Sequence, residues 1–172
     1  MAQNTDTLDL GRIGLASGEA RRLDLTVAFD DLRLGGQGYV AEPARVAARL
    51  DVARMQGGYH LRLRFETRLE GPCMRCLEAA GQSFAIDARE IDQPGGGSDE
   101  LSSPYVDGDE LDVRSWARDA LMLELPTQIV CTADCRGICA VCGENLNTAD
   151  PGHHHDRAPD PRWSKLSELR FE

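Results

Sequence analysis

Lysine is almost missing from this chain: Lys165 stands alone against eighteen arginines. Aromatic residues are scarce at 5%. Val, Leu, Ile and Ala must therefore fill any core, and a hydrophobic content of 41% is enough for one. No apolar run approaches the roughly 18 residues a membrane helix needs. The opening MAQNTDTLDLGRIG has neither a basic segment nor an apolar one, so no secretory signal is expected. A P-loop, a dinucleotide fingerprint and a Ser-His-Asp order are all lacking, and no enzyme is expected. These absences point to a cytoplasmic protein in a reducing compartment. There, six cysteines are metal ligands or redox groups rather than structural disulfides.

The formal net charge of −10 argues against simple electrostatic binding to nucleic acid. The charge is unevenly spread. Residues 43–76 carry seven Arg against Asp51, Glu66 and Glu70, a net of +4. Residues 87–112 carry nine acids against Arg89, a net of −8. Both stretches also read as ordinary solvated faces.

Period-two alternation marks strands. Leu23, Leu25, Val27 and Phe29 alternate, as do Val46, Ala48, Leu50 and Val52, although the Ala and Arg of the second run would also suit a helix. The strongest run is YHLRLRFETRL. It sets Tyr59, Leu61, Leu63, Phe65 and Leu69 on one face and Arg62, Arg64 and Arg68 on the other. QSFAIDAREI predicts a further strand through Phe84 and Ile86. DQPGGGSDELSSP predicts a flexible loop. In DVRSWARDALMLELP, Asp112 can cap a helix whose apolar face is Val113, Trp116, Ala117, Ala120 and Leu121, and Pro126 ends it. A short helix is expected near the end, with Trp163, Leu166 and Leu169 on one side. The expected fold is one α+β domain over 1–172, with a curved or barrel-like antiparallel sheet. Residues 15–92 are mainly β, 93–108 form the flexible acidic loop, and 109–172 hold a helix, a cysteine-rich zinc-binding segment and the terminal helix.

Cys73-x-x-Cys76 and Cys139-x-x-Cys142 are each able to form a tight knuckle whose sulfurs point the same way. Two knuckles make a tetrahedral zinc site, so Cys73, Cys76, Cys139 and Cys142 form the favoured ligand set. A local set of Cys131, Cys135, Cys139 and Cys142 is the alternative. With the favoured set, Cys131 and Cys135 remain for a second site completed by two of His153, His154 and His155, taken as His153 and His155. A triple His is also often just a solvated loop. Redox chemistry is the rival use of the thiols, but neither pair follows a strand at a helix N-terminus as a thioredoxin motif does.

The order GPCMRCLE, acidic glycine-rich loop, LELPTQIVC, CTADCRGICAVCGENLN and DPRWSKLSEL resembles the YceD family, over roughly residues 15–170. The resemblance implies a non-enzymatic cytosolic factor supporting accumulation or maturation of large-subunit ribosomal RNA, with structural zinc. It implies Cys73 and Cys76 as one element, and Cys131, Cys135, Cys139 and Cys142 with Asn145-Leu146-Asn147 as the other. Many relatives carry C-x-C where this chain has His153-His154-His155, a change that keeps metal-binding chemistry. The expected partner is large-subunit ribosomal RNA or its precursor, with no membrane, no small-molecule substrate and no catalytic residue. The candidate RNA face carries Arg62, Arg64 and Arg68, joined by Arg45 and Arg49 if residues 45–53 pair alongside. The bland alternative is that these arginines pair with Glu66, Glu70 and the acidic loop. A second hypothesis is a zinc-stabilised interaction module that binds a basic ribosomal protein through residues 87–112. A third is a thiol redox sensor.

Overall fold

Alternation of apolar and polar residues dominates the first half of the chain, and it folds as strands. A computed structural model describes residues 3–4, 6–93 and 101–155. Its strands are β1 (Gln3–Asn4), β2 (Thr7–Asp9), β3 (Ala20–Ala28), β4 (Leu32–Leu34), β5 (Gln37–Glu42), β6 (Arg45–Met55), β7 (Gly58–Pro72), β8 (Ala79–Asp92), β9 (Val106–Asp107) and β10 (Glu110–Asp112). A 3-10 turn occupies Gly11–Ile13, and α1 spans Val113–Leu123.

The long strand β7 organises a seven-stranded sheet. β8 runs along one edge of it, from Tyr59↔Asp92 to Pro72↔Ala79. The other edge is shared. β6 pairs with its first half, from Met55↔Gly58 to Ala48↔Phe65, and β5 with its second, from Glu42↔Arg68 to Val40↔Glu70. β3 and then β1 extend the sheet beyond β6, and β4 extends it beyond β5. The expected curved or barrel-like sheet is thereby corrected. Among the described residues no pairing joins the outer strands β8, β1 and β4, so the sheet is open. Alternation fixes which face of a strand is buried but does not fix closure, which depends on strand order. The α+β class holds, with one helix.

Inward residues of the large sheet form one core with the helix. Leu25, Leu50, Leu61, Leu63 and Leu69 are buried, and so are Val113, Trp116, Ala117, Ala120 and Leu121 of α1. Each such leucine contributes about 1.5–3 kcal/mol relative to exposure. Asp112 caps α1, its carboxylate accepting from the Ser115 N–H at 2.9 Å. A second, three-stranded sheet in the order β2-β10-β9 lies beside the helix start. It takes in part of the stretch 93–108, expected as one loop. The buried Asp92 accepts from the Ser103 N–H at 3.2 Å, and the Gln93 N–H donates to the Leu101 carbonyl at 2.7 Å. Residues 94–100 of that stretch, and the terminal helix expected around Trp163, Leu166 and Leu169, lie outside the described residues. No helix among the described residues is long and apolar enough to cross a membrane.

The end of β7 is held by a close contact. The fully buried Tyr39 donates its hydroxyl to the Pro72 carbonyl at 2.5 Å. Its ring lies where a side chain on residue 71 would go, for a Cβ there would be 2.4 Å from the Tyr39 Cδ1. Only glycine fits, and Cys73 follows two residues later. Gly71→Ala is expected to destabilise the protein by about 1–3 kcal/mol through overpacking. Asp112→Ala, which removes only the cap, should cost about 1 kcal/mol. Urea unfolding of the two variants checks the order; a Gly71→Ala midpoint equal to the parent's would refute the contact argument.

Candidate metal centre

Both C-x-x-C pairs form the same turn. In the first, the Cys73 N–H donates to the Glu78 carbonyl at 2.7 Å and the Leu77 N–H to the Cys73 carbonyl at 3.0 Å. In the second, the Cys139 N–H donates to the Glu144 carbonyl at 2.8 Å and the Gly143 N–H to the Cys139 carbonyl at 2.8 Å. The residue after the second cysteine is left-handed in each, Leu77 at φ 65° and Gly143 at φ 77°. Glycine takes that conformation freely, whereas leucine is strained there. Each turn also aims a backbone N–H at its first sulfur, Arg75 to Cys73 at 3.4 Å and Val141 to Cys139 at 3.5 Å.

Each knuckle faces different partners. Cys73 and Cys76 meet Cys131 and Cys135, and Cys139 and Cys142 meet His153 and His155. Within each group the ligand atoms all lie within 4.8 Å of one another. The expected set of Cys73, Cys76, Cys139 and Cys142 is therefore not brought together. Nor is the local set of four late cysteines, nor Cys131 and Cys135 with the histidines. The reason lies in how the chain returns after α1. The Met74 N–H donates to the Ile129 carbonyl at 2.9 Å, which docks the returning segment beside the first knuckle. Arg75 fastens it further, donating to the Gln128 Oε1 at 2.9 Å and the Cys135 carbonyl at 3.2 Å. The cysteines that arrive there first are Cys131 and Cys135. Gly137 then turns the chain at φ 78°, where a side-chain Cβ would lie 3.2 Å from the Arg75 carbonyl oxygen.

The inner cluster is mostly buried: Cys73, Cys76 and Cys135 are covered and Cys131 lies at the surface. Its sulfurs approach at 3.8 Å (Cys73 to Cys135) and 3.6 Å (Cys76 to Cys131). A disulfide would need about 2.05 Å. A tetrahedral zinc with Zn–S bonds of about 2.3 Å sets its sulfurs about 3.8 Å apart, so the donor set fits that ion. Burial opposes a charge on Cys73, but the backbone N–H groups of Cys76, Arg75 and Cys131 outweigh it and bring its pKa down to about 6. Cys76 goes the other way. The Glu78 backbone favours its thiolate, yet burial and the thiols of Cys73, Cys131 and Cys135 push it up to about 12. Asn147 donates from Nδ2 to the Cys135 sulfur at 3.4 Å and lowers that thiol's pKa.

The outer cluster is more open. His155 Nε2 is 3.3 Å and His153 Nε2 3.7 Å from the Cys142 sulfur. His153 Nδ1 lies 2.8 Å from the Glu144 carboxylate. His154 instead bonds the Gly152 carbonyl through Nδ1. A hydrogen bond from His153, then backbone N–H groups of Cys142 and Val141, bring the Cys139 pKa down to about 6. The same contact, with the Glu144 charge, raises that of His153. Sequence reasoning gave Glu144 no role. Its signal was its place two residues after Cys142, where the knuckle turn points it back toward the cluster.

Arginines of the candidate RNA face lie on the outward side of the sheet, in register across three strands. Arg49 faces Arg64, Asp51 faces Arg62, and Arg64 faces Asp87. Arg62 pairs with Asp87 in a two-pronged contact. Asp51 holds both Arg22, at 2.7 Å, and Arg64. Arg68 pairs with Glu70 at 3.1 Å, and Arg49 lies 3.8 Å from Asp24. Among the described residues, the partners are thus mainly cross-strand aspartates, with Glu70 the expected glutamate partner that is met. The Arg22 hydrogen bond, with that of Arg64, holds the Asp51 carboxyl below its ordinary range. A carboxylate with a depressed folded pKa gives stability that is full above its unfolded pKa and is lost as pH falls through the folded one. The melting-temperature gap between the native protein and Asp51→Asn should therefore be widest at neutral pH and close on acidification below about pH 4. A gap that persists at low pH would show that Asp51 acts by packing alone.

Among known proteins, the family model described as "Large ribosomal RNA subunit accumulation protein YceD" matches residues 61–170. A Mycobacterium tuberculosis protein described as uncharacterized is 31% identical, covering 95% of this chain and 80% of its own length. An uncharacterized Mycobacterium leprae protein is 30% identical over 87% of this chain and 80% of its own. The maize "Large ribosomal RNA subunit accumulation protein YCED homolog 1, chloroplastic" is 29% identical over 86% of this chain and 60% of its own. No solved structure matches.

Proposed function

The chain belongs to the YceD family, and from that premise we propose that it is a cytosolic factor supporting accumulation or maturation of large-subunit ribosomal RNA, braced by structural zinc. The family is non-catalytic, and the protein is not an enzyme. The observation that carries the zinc reading is the inner cluster, whose four sulfurs lie within 4.8 Å of one another. Zinc held by Cys73, Cys76, Cys131 and Cys135 would clamp the end of β7 to the segment after α1. Such a site contributes directly to folding free energy.

The outward arginine face is our candidate contact for the RNA. Arg45, Arg49, Arg62, Arg64 and Arg68 stand along it, and same-side residues of a strand are about 6.5–7 Å apart, near the phosphate spacing of a nucleic-acid strand. Contact there requires Arg62 and Arg64 to exchange Asp87 and Asp51 for phosphate. A second reading, docking of a basic ribosomal protein, is favoured by the small sheet. Glu110 faces Asp9 on one side and Asp107 on the other, and all three are exposed. Like charges placed opposite each other destabilise a sheet, so a cationic partner would relieve them.

Removing the gene from the source organism should lower large-subunit relative to small-subunit ribosomal RNA. The native gene should restore the ratio, and Cys73→Ser/Cys76→Ser should not. An unchanged ratio in the deletion strain would sink the ribosomal reading. If extracts then show binding that survives nuclease but is lost on neutralising Asp107, Asp109 and Glu110, the protein-partner reading replaces direct RNA contact.

Zinc uptake also has a proton signature. Backbone N–H groups lower the Cys73 thiol while the neighbouring thiols raise that of Cys76, so the metal-free cluster keeps the Cys76 proton more tightly than the Cys73 one. Ligation requires thiolates, so binding must release the Cys76 proton, and affinity must rise with pH. Calorimetry in buffers of different ionisation enthalpy measures that proton; zinc binding with no proton released at pH 7 would contradict the assigned ligand set.

A further inference from the structure

The outer cluster has a feature that a solvated histidine loop does not need. His153 presents Nε2 toward Cys142 while its Nδ1 is held at 2.8 Å by Glu144. Metal-ligating histidines characteristically donate their second ring N–H to a carboxylate, which fixes the tautomer and turns the free nitrogen toward the ion. His155 presents its own Nε2 to the same sulfur at 3.3 Å. The two rings stand edge to face at 85°, so both nitrogens converge on one point without the rings clashing. The knuckle at Cys139 repeats the hydrogen bonds of the Cys73 knuckle and carries glycine at its left-handed position. Two thiolates and two imidazoles in this arrangement make a closed tetrahedral set suited to zinc.

We propose that Cys139, Cys142, His153 and His155 form a second, separate zinc site, with Glu144 as the positioning residue that orients His153. The site is independent of the inner cluster, since no ligand is shared between them. It also differs in access. Cys142 and His155 are exposed, whereas Cys73, Cys76 and Cys135 are buried. The outer ion therefore exchanges faster with solution than the inner one, which only Cys131 brings near the surface. The inference does not rest on the ribosomal reading: metal content is measured on the purified chain whatever the RNA assays give.

The test uses the reduced full-length protein, loaded with zinc, freed of excess and assayed for bound metal. The native chain should hold two equivalents and release one of them first to a chelator. Cys142→Ser/His155→Ala should hold one equivalent and lose the fast-released ion. Cobalt(II) substitution should report mixed sulfur and nitrogen ligation for the fast ion and all-sulfur ligation for the slow one. One equivalent in the native protein, or two in the double variant, would overturn the site. If the double variant misfolds and loses both ions, Glu144→Gln decides, because it keeps all four ligands. A 10–100-fold weaker second equivalent with the first unchanged supports the proposal, and unchanged affinity of both refutes it.

Discussion

Four sulfur atoms within 4.8 Å of one another, three of them buried, cannot all ionise without a cation among them. The protein nonetheless arranges for one to ionise readily. Backbone N–H groups from the knuckle and from the returning chain are aimed at Cys73, and they overcome its burial. Cys76 and Cys131 then hold their protons more tightly, whereas the Asn147 amide eases ionisation of Cys135. The result is a nest of sulfurs able to hold a positive ion, and two distant parts of the chain converge on it. Tyr39, Gly71 and Pro72 set the end of β7, Ile129 and Arg75 dock the chain after α1, and both halves meet at the sulfurs.

That arrangement explains why β7 is so long. Its first half builds the core with β6, and its second half reaches past β6 to pair with β5 and carry the knuckle. β8 follows the whole length and returns directly from the knuckle turn. The β5 pairing ends at Val40↔Glu70, and the last residues of β7 then pair with β8 and lead into the cysteine turn.

Much of this was legible in the sequence, and the illegible part has a common cause. Period-two alternation exposed β7 with its buried Leu61, Leu63 and Leu69, and Asp112 with the apolar positions at Val113, Trp116, Ala117, Ala120 and Leu121 marked α1. These are local signals, carried by neighbours in the chain. The two knuckles were local as well, since each is closed by hydrogen bonds within six residues. Which knuckle meets which partners is not local. It follows from long-range docking of the returning chain, Met74 to Ile129 and Arg75 to Gln128 and Cys135, between residues far apart in the chain with no local pattern to announce it. Sheet closure and the aspartate partners of Arg62 and Arg64 were hidden for the same reason, because both depend on strand order.

The outward face shows how strand order changes the meaning of charge. Read along the chain, residues 43–76 are a basic run with a net of +4. Read across the sheet, their arginines alternate with Asp24, Asp51 and Asp87 from the neighbouring strands. Opposite charges in register contribute to strand pairing, and they also lower the field that a distant phosphate would feel. Such a face is poorly suited to non-specific attraction, which needs unpaired cations. It is better suited to a partner that docks closely enough to compete with each carboxylate in turn. On a protein of net charge −10, RNA contact at this face would rest on close exchange of each carboxylate for phosphate rather than on long-range pull.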